Sequence, residues 1–303
     1  MAFLAHWKIG GAPGDAMNGQ AAVDSAAGGS GAHDGTYVLN ALGGSLLKGF
    51  GTDEGLHLQA SSYWNYGYIH NMANVADLRL QGLMTVAAWF RKLDNYAVES
   101  GLYLANCGGS AGTQAENRQW TLEARAGGGL RMLWENGVGV NVDVQSISGI
   151  LPVRTRWVHV AAVRYEVTPG FYGVRFYVDG VLADTQDNTG SGWAPPDGGG
   201  SSPVYIGRWA GGQPARGFAV DSVRLYDSDE GANLAAIVAA EAPAFQPVGQ
   251  DVSPSLRLDG QGSQIVGGRD LDPSLTLTGQ GHHLGRMVYT GERSGRPNAG
   301  FHQ

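Results

Sequence analysis

The segment RWVHVAAV at residues 156–163 is followed, after nine residues, by GVRFYVDG at residues 173–180. In an extended strand alternate side chains share a side, so Val174, Phe176 and Val178 point the same way. The second segment ends in Asp-Gly, a pair that favours a tight hairpin because glycine tolerates the positive φ that the turn requires. The two segments therefore predict consecutive β-strands.

Further short motifs flank this pair of strands in a definite order. The motifs are WKI at 7–9, DSAAGG at 24–29 with a Gly-Thr turn soon after it, LMTVAAWF at 83–90, VYIG at 204–207 and GFAVDSVRLY at 217–226. Most of them alternate or run apolar over a few residues, and glycine-rich stretches separate them. Such spacing is typical of a sandwich or barrel of short strands.

This series of motifs resembles the laminin-G-like and pentraxin-like jelly rolls of the concanavalin A-like group, although Met84 stands where that family usually has Phe. The resemblance covers residues 1–242. It implies an all-β fold, an antiparallel jelly-roll sandwich with one short helix. We expect that helix to begin at Ser228 as its N-cap and to end at Pro243, with Leu234 on its apolar face.

The remaining residues, 243–303, do not belong to the resemblance. Residues 243–254 read as a linker, and PSLRLDGQG at 254–262 recurs as PSLTLTGQG at 273–281. Each copy predicts a short strand followed by a Gly-Gln-Gly turn, and two such hairpins bury little apolar surface alone. We predict a small β C-terminal appendage for oligomerisation or docking; a local embellishment packed on the sandwich is the alternative.

Composition narrows the functional classes. The formal net charge of −7 argues against binding to nucleic acid or to an anionic membrane surface, and we expect no membrane insertion. The 49 glycines follow no three-residue period, which excludes collagen. Cys107 is the single cysteine, so the chain forms no intrachain disulfide. The N-terminal residues do not resemble a signal peptide.

The sequence carries no recognisable catalytic motif. A retaining glycosidase needs two carboxylates about 5 Å apart, and the expected Glu-x-Asp-x-Glu pattern is absent. The acidic run at 227–230 falls at the predicted helix start, where negative charge favours the helix dipole. Nucleophile-elbow, His-Glu-x-x-His and Cys-x-x-Cys patterns are also missing. We therefore predict a protein that is not an enzyme.

Two kinds of binding site remain as expectations. Members of the resembled family often hold a structural calcium ion, which carboxylates and carbonyls on loops bind. The resemblance implies candidate calcium ligands on the matching loops and strand ends, namely Asp24, Asp34, Asp53 and Asp221. For Asp221 the alternative is a buried carboxylate that accepts hydrogen bonds from backbone amides. We expect no other cofactor.

Aromatic side chains supply the second expectation, because sugar faces stack on aromatic rings. The candidates lie in one ring-rich run and in several loops, and they are Trp64, Tyr66, Tyr68, Trp134, Trp193 and Trp209. Trp193 lies among small residues, which favours exposure. Tyr66 and Tyr68 are equally compatible with the sandwich core. We assign Trp7, Trp89 and Trp157 to the core.

Taken together, these features predict a non-enzymatic virion structural protein of a phage or phage-like particle: a fibre, spike or decoration subunit. Such a protein is made in the host cytoplasm without a signal peptide. We expect it to form a homo-oligomer, to contact other virion proteins through its C-terminal segment and to bind cell-surface glycans weakly. The alternatives are a soluble, extracellular lectin-like or adhesion module and a glycan-cleaving enzyme.

Overall fold

A computed structural model describes most of the predicted sandwich. The described residues are 4–9, 21–26, 32–39, 56–57, 67–70, 72, 75–92, 102–107, 118–125, 127–136, 140–151, 156–187, 193–196, 203–207 and 218–245. The predicted C-terminal repeat lies outside these residues. Within them, no helix is long and apolar enough to cross a membrane.

The described residues form fifteen strands, a short 3-10 helix at Gly231–Asn233 and one α-helix. The helix, α1, spans Leu234–Phe245. The strands are β1 (Ala5–Trp7), β2 (Ala21–Ala22), β3 (Gly35–Leu39), β4 (Leu56–His57), β5 (Gly67–His70), β6 (Met84–Lys92), β7 (Leu102–Cys107), β8 (Trp120–Ala124), β9 (Leu130–Glu135), β10 (Asn141–Gln145), β11 (Trp157–Thr168), β12 (Phe171–Val178), β13 (Val181–Gln186), β14 (Val204–Ile206) and β15 (Phe218–Tyr226).

These strands pair into two sheets. Sheet A has the order β1-β15-β6-β11-β12-β13, with β4 also paired to β15. Sheet B has the order β10-β9-β8-β7-β14-β5-β3-β2. Every described pairing is antiparallel. The predicted all-β antiparallel sandwich with one short helix is therefore confirmed.

The two segments at 156–163 and 173–180 form the centre of sheet A. β11 pairs with β12 in a register that places Val160 opposite Val178. Asp179 and Gly180, at φ 50° and 76°, form the predicted turn from β12 into β13. A Cβ atom on Gly180 would lie 2.7 Å from Cα of Ala235. Glycine is therefore required both by the turn and by the close approach of α1.

The inner faces of the two sheets enclose one apolar core. β11 contributes Val158, Val160 and Ala162, while Trp120 and Leu122 come from β8. Each of these side chains is at most 1% exposed, and full burial of a valine or leucine contributes about 1.5–3 kcal/mol. Of the predicted core tryptophans, Trp7 belongs to this core, whereas Trp89 and Trp157 form a separate buried cluster with Val238 and Ala242 of α1. Cys107 is also buried, and burial raises the pKa of its thiol to about 12.

Helix α1 covers the outer face of sheet A, the face turned away from sheet B. Leu234 packs against Ala161 and Tyr177 of the sheet. Glu241 accepts hydrogen bonds from Trp89 Nε1 at 2.9 Å and from Arg224 Nη1 at 2.6 Å. Apolar packing and a partly buried ion pair therefore both fix the helix on the sheet.

The ends of this helix differ from the prediction. Glu230 precedes the 3-10 turn without a side-chain cap hydrogen bond, and Ser228 Oγ donates instead to Glu230 Oε1 at 2.7 Å. Pro243 does not end the helix, which continues to Phe245. A proline removes its own N–H donor, and its ring crowds the carbonyl four residues earlier. Pro243 lies in the last turn of the helix, where the structure accommodates this loss.

Arg164 points from β11 into the core between the sheets, where it is fully buried. Its guanidinium donates to three backbone carbonyls: Gly82 at 2.9 Å, Leu80 at 2.5 Å and Gln119 at 3.3 Å. Its carbon atom Cζ lies 5.4 Å from the ring centre of Trp134. Burial lowers the pKa of Arg164 from 12.5 to about 9, so the side chain remains charged at neutral pH.

We expect Arg164→Met to lower the free energy of unfolding by at least ~3 kcal/mol, because it leaves several buried carbonyls without a donor. Denaturant unfolding followed by tryptophan fluorescence measures this change. The control is Arg156→Met, since Arg156 is half exposed and pairs with Asp179 near the surface; its cost should stay within ~1 kcal/mol. Equal costs for the two variants would contradict the role given to Arg164.

Candidate functional site

A polar network lies on the outer face of sheet B, the face turned away from sheet A. In β8 the side chains of Trp120, Leu122 and Ala124 enter the core, so Glu123 between them points outward. Glu123 lies opposite Arg131 of the neighbouring strand β9. The outer-face network consists of Glu123, Arg125, Arg131, Asp143 and Gln145.

Arg131 is the centre of this network. Its Nε and Nη2 donate to the two carboxylate oxygens of Asp143 at 2.7 and 2.5 Å. Its Nη1 donates to Glu123 Oε2 at 3.2 Å. Such a bidentate pair fixes a guanidinium more firmly than a single contact does. Arg131 therefore holds a defined orientation between two carboxylates.

The two carboxylates respond to this arrangement in opposite ways. Burial raises the pKa of Glu123 above its usual value, although Arg131 and Arg125 partly oppose that shift. Burial also acts to raise the pKa of Asp143, but the hydrogen bonds and charge of Arg131 outweigh it and the net pKa is lowered. The Glu123 side chain is 1% exposed and that of Asp143 is 36% exposed. Asp143 is therefore the carboxylate that a ligand can reach.

Two further side chains complete the exposed rim. Arg125 approaches Glu123 at 3.5 Å and keeps 36% of its side chain exposed. Gln145 donates to both oxygens of Asp143, at 3.2 and 3.3 Å. The rim therefore offers a guanidinium, a carboxylate and an amide to a polar ligand, and the two arginines balance the two carboxylates in charge.

A stacked aromatic pair lies elsewhere on the same outer face. The rings of His70 on β5 and Tyr205 on β14 lie 6.3 Å apart and are nearly parallel. Both side chains are half-buried. Thr121, which lies between this pair and the network, is only 1% exposed. The described surface is thus not continuous from one to the other, and we limit the candidate site to the outer-face network.

The predicted sugar-stacking aromatics are placed differently. Trp134 points into the core, is 0% exposed and donates from Nε1 to the carbonyl of Ala194 at 2.8 Å. A sugar therefore cannot stack on Trp134 in this structure. Trp193 is half-buried and meets Trp134 edge-on at 6.4 Å, rather than projecting from its loop. Tyr68 belongs to β5 but its side chain is not described, and Trp64, Tyr66 and Trp209 lie outside the described residues.

The predicted calcium ligands are engaged in hydrogen bonds. Asp24 Oδ1 accepts the backbone N–H of His6 at 2.9 Å and of Ala26 at 3.0 Å. Asp34 Oδ1 accepts the N–H of Asp24 at 2.7 Å. Asp221, 6% exposed, accepts the N–H of Ile9 at 2.8 Å, as in the alternative given for it.

The fourth candidate calcium ligand, Asp53, lies outside the described residues. Among the residues that are described, no group of three or more His, Cys, Asp or Glu side chains could hold a metal ion. A calcium ion at these positions stays a prediction.

The fold defines the class of protein as a jelly-roll β-sandwich. Residues 65–229 match the family model described as the concanavalin A-like lectin/glucanases superfamily. The chain therefore belongs to that superfamily, and its sandwich is a concanavalin A-like jelly roll. A search of curated protein sequences found no match.

Solved structures with the same fold include binding domains of botulinum neurotoxins. The receptor binding domain of botulinum neurotoxin D matches with a TM-score of 0.51 at 9% identity, covering 79% of this chain and 52% of that one. The serotype D binding domain matches with a TM-score of 0.50 at 9% identity and the same coverage. The chain thus spans about half the length of these structures, and the likeness concerns the fold.

The outer-face network was not anticipated from the sequence, although a signal for it exists. In NVDVQ at 141–145, Val142 and Val144 are buried while Asp143 and Gln145 alternate with them. The neighbouring strands β8 and β9 carry Glu123 and Arg131 at outward-facing positions as well. Charged residues of opposite sign at outward positions of three consecutive strands would indicate such a network.

We expect Arg131→Met to destabilise the protein by about 1–3 kcal/mol more at pH 7 than at pH 4. Without Arg131 both carboxylates gain higher folded-state pKa values, so the deficit grows as the pH rises through those values. Denaturant unfolding at both pH values measures it, and Arg131→Met combined with Glu123→Gln should recover part of the loss. A loss that does not depend on pH would contradict this account of the network.

Proposed function

We propose that this chain is a non-enzymatic recognition protein that binds a glycan at the outer-face network of sheet B. The observation that carries the proposal is the bidentate pair in which Asp143 holds Arg131. Beside this pair lie the partly exposed side chain of Arg125 and the exposed side chain of Gln145. A prearranged set of donors and acceptors binds a polar ligand with little ordering cost.

The charge of the network favours a neutral or weakly charged sugar. Arg125 and Arg131 offset the charges of Glu123 and Asp143, so a strongly anionic ligand finds no net positive charge there. Hydroxyl groups both donate and accept hydrogen bonds. They can therefore bond to the guanidinium of Arg125, to the amide of Gln145 and to the exposed carboxylate of Asp143.

The fold agrees with a role in recognition. The superfamily description names lectins beside glucanases, and both matched structures are binding domains of neurotoxins. At 9% identity, and with 52% of their chains covered, these proteins share the fold with this chain but indicate neither the binding surface nor the ligand.

Glycan cleavage is the second candidate, and one observation favours it. Glu123 has a raised pKa while Asp143 has a lowered one, and carboxylates with opposite shifts are a mark of acid–base pairs. Against cleavage, the Glu123 side chain is 1% exposed and arginines contact both of its oxygens. A general acid must reach the glycosidic oxygen, so we favour binding without cleavage.

We place this recognition role in a phage or phage-like particle, where the chain would act as a fibre, spike or decoration subunit and associate with itself. This placement rests on the jelly-roll fold, on the missing catalytic motifs and on the repeat at 254–262 and 273–281. A soluble lectin-like or adhesion module is the alternative setting, and it uses the same outer-face network.

A glycan array probed with the full chain tests the binding proposal. We expect one class of glycan to bind, and Arg125→Ala and Gln145→Ala each to weaken binding at least ~10-fold, which corresponds to about 1.4 kcal/mol. The matched control is Arg156→Ala, an exposed arginine on the hairpin of sheet A, which should bind as the unmodified protein does. Absence of any bound glycan, or equal losses in all variants, would refute the proposal. Release of reducing ends from the bound glycan, lost in Glu123→Gln, would establish the enzyme instead.

The particle setting has a separate test. Mass spectrometry of purified particles from the source of this sequence should detect the chain at stoichiometric amounts, and light scattering of the purified protein should give a multiple of 31.8 kDa. Particles without the chain would overturn the setting and leave the glycan proposal standing.

A further inference from the structure

A second polar cluster lies apart from sheet B's outer-face network. His33 comes just before β3 and is 5% exposed. Its Nδ1 lies 2.9 Å from Oδ2 of Asp24, a carboxylate that is itself 2% exposed. Asp24 Oδ1 accepts two backbone N–H groups, so the carboxylate acts as an acceptor on both sides. Nδ1 of His33 therefore carries a proton and donates it to Asp24.

The other ring nitrogen of His33 faces a carboxylate that it does not bond. Nε2 is buried and has no hydrogen-bond partner among the described residues. Oδ2 of Asp77 lies 3.7 Å from it, which is too long for a hydrogen bond. The second ring nitrogen and a carboxylate oxygen thus face each other across a gap that a cation bound to both can bridge. A metal ion that binds Nε2 displaces any proton carried there.

We propose that His33 Nε2 and Asp77 Oδ2 bind a divalent transition-metal ion of the Zn²⁺ type, with Asp24 orienting the imidazole and water completing the coordination. Zinc binds imidazole nitrogen and carboxylate oxygen at about 2.0–2.2 Å, so in tetrahedral geometry the two donors stand ~3.4 Å apart. The observed 3.7 Å requires only a small adjustment. A carboxylate–histidine pair behind the metal is a recurrent second-shell arrangement.

Tryptophan hydrogen bonds hold the backbone beside both donors. Trp7 Nε1 donates to the carbonyl of His33 at 2.9 Å. Trp120 Nε1 donates to the carbonyl of Leu78, the fully buried neighbour of Asp77, at 2.8 Å. The Asp77 side chain itself is 65% exposed. The backbone on each side of the gap is therefore fixed, while the side chain of Asp77 is free to admit an ion from solvent.

The donor set also distinguishes this site from the calcium sites predicted from the sequence. Calcium prefers six to eight oxygen ligands, whereas imidazole nitrogen favours zinc, copper or nickel. A bound ion would join the turn at residues 75–78 to the segment between β2 and β3, at the edge of sheet B. The expected effect is an increase in stability with metal concentration.

Nuclear magnetic resonance of the full chain with ¹⁵N-labelled histidine rings tests the site. After treatment with EDTA, addition of Zn²⁺ should shift the Nε2 resonance of His33, assigned with His33→Gln, while Ca²⁺ should leave it unchanged. Asp77→Asn should weaken Zn²⁺ binding at that ring at least ~10-fold. The matched control Asp227→Asn, which changes an exposed aspartate elsewhere, should not.

Asp77 is largely exposed, so its variant should fold, and circular dichroism checks that it does. A His33 resonance that does not respond to millimolar Zn²⁺ would overturn the proposal, as would equal affinity in Asp77→Asn. A proton on Nε2 that persists in the presence of zinc would show an ion pair between His33 and Asp77 instead, and would overturn it as well.

Discussion

The guanidinium of Arg164 sets the geometry of one end of the sandwich. A buried cation is tolerated only where acceptors surround it, and here three backbone carbonyls and the rings of Trp134 and Tyr172 do so. Two of those carbonyls, from Leu80 and Gly82, belong to the connection that leads into β6. The position of a single side chain therefore determines where that connection runs and where β6, the strand paired with β11, begins.

The same arrangement connects the core to the candidate binding surface. Trp134 of β9 packs on Arg164 and bonds the carbonyl of Ala194, so the inner face of that strand is fixed. Arg131 lies three residues earlier on the outer face of the same strand, where Asp143 holds it. Because a strand cannot move one face without the other, the rigid core also positions the polar network.

Local sequence rules account for the sheets better than for the individual sites. Alternation and the Asp-Gly turn predicted β12 and its hairpin, because those signals lie within a few residues of each other. Trp134 packs against Arg164 of β11, and Trp193 packs against Trp134, so neither placement follows from its own sequence neighbours. The charged residues at 123, 131 and 143 become a network only when β8, β9 and β10 lie side by side.

Carboxylates near strand ends illustrate why ligand sets are hard to assign from sequence. Asp24 and Asp221 each accept a backbone N–H from the segment of β1, at His6 and at Ile9. Amide N–H groups and cations bind to the same lone pairs of a carboxylate oxygen. The lone pairs of a buried carboxylate must therefore be satisfied either by N–H groups or by a cation. Asp24 and Asp221 are both aspartates, so the residue type does not show whether a carboxylate is a structural anchor or a metal ligand. The number of N–H groups that converge on each oxygen decides this. At Asp24 that convergence includes a histidine ring, whose Nδ1 donates to the carboxylate and whose Nε2 faces Asp77.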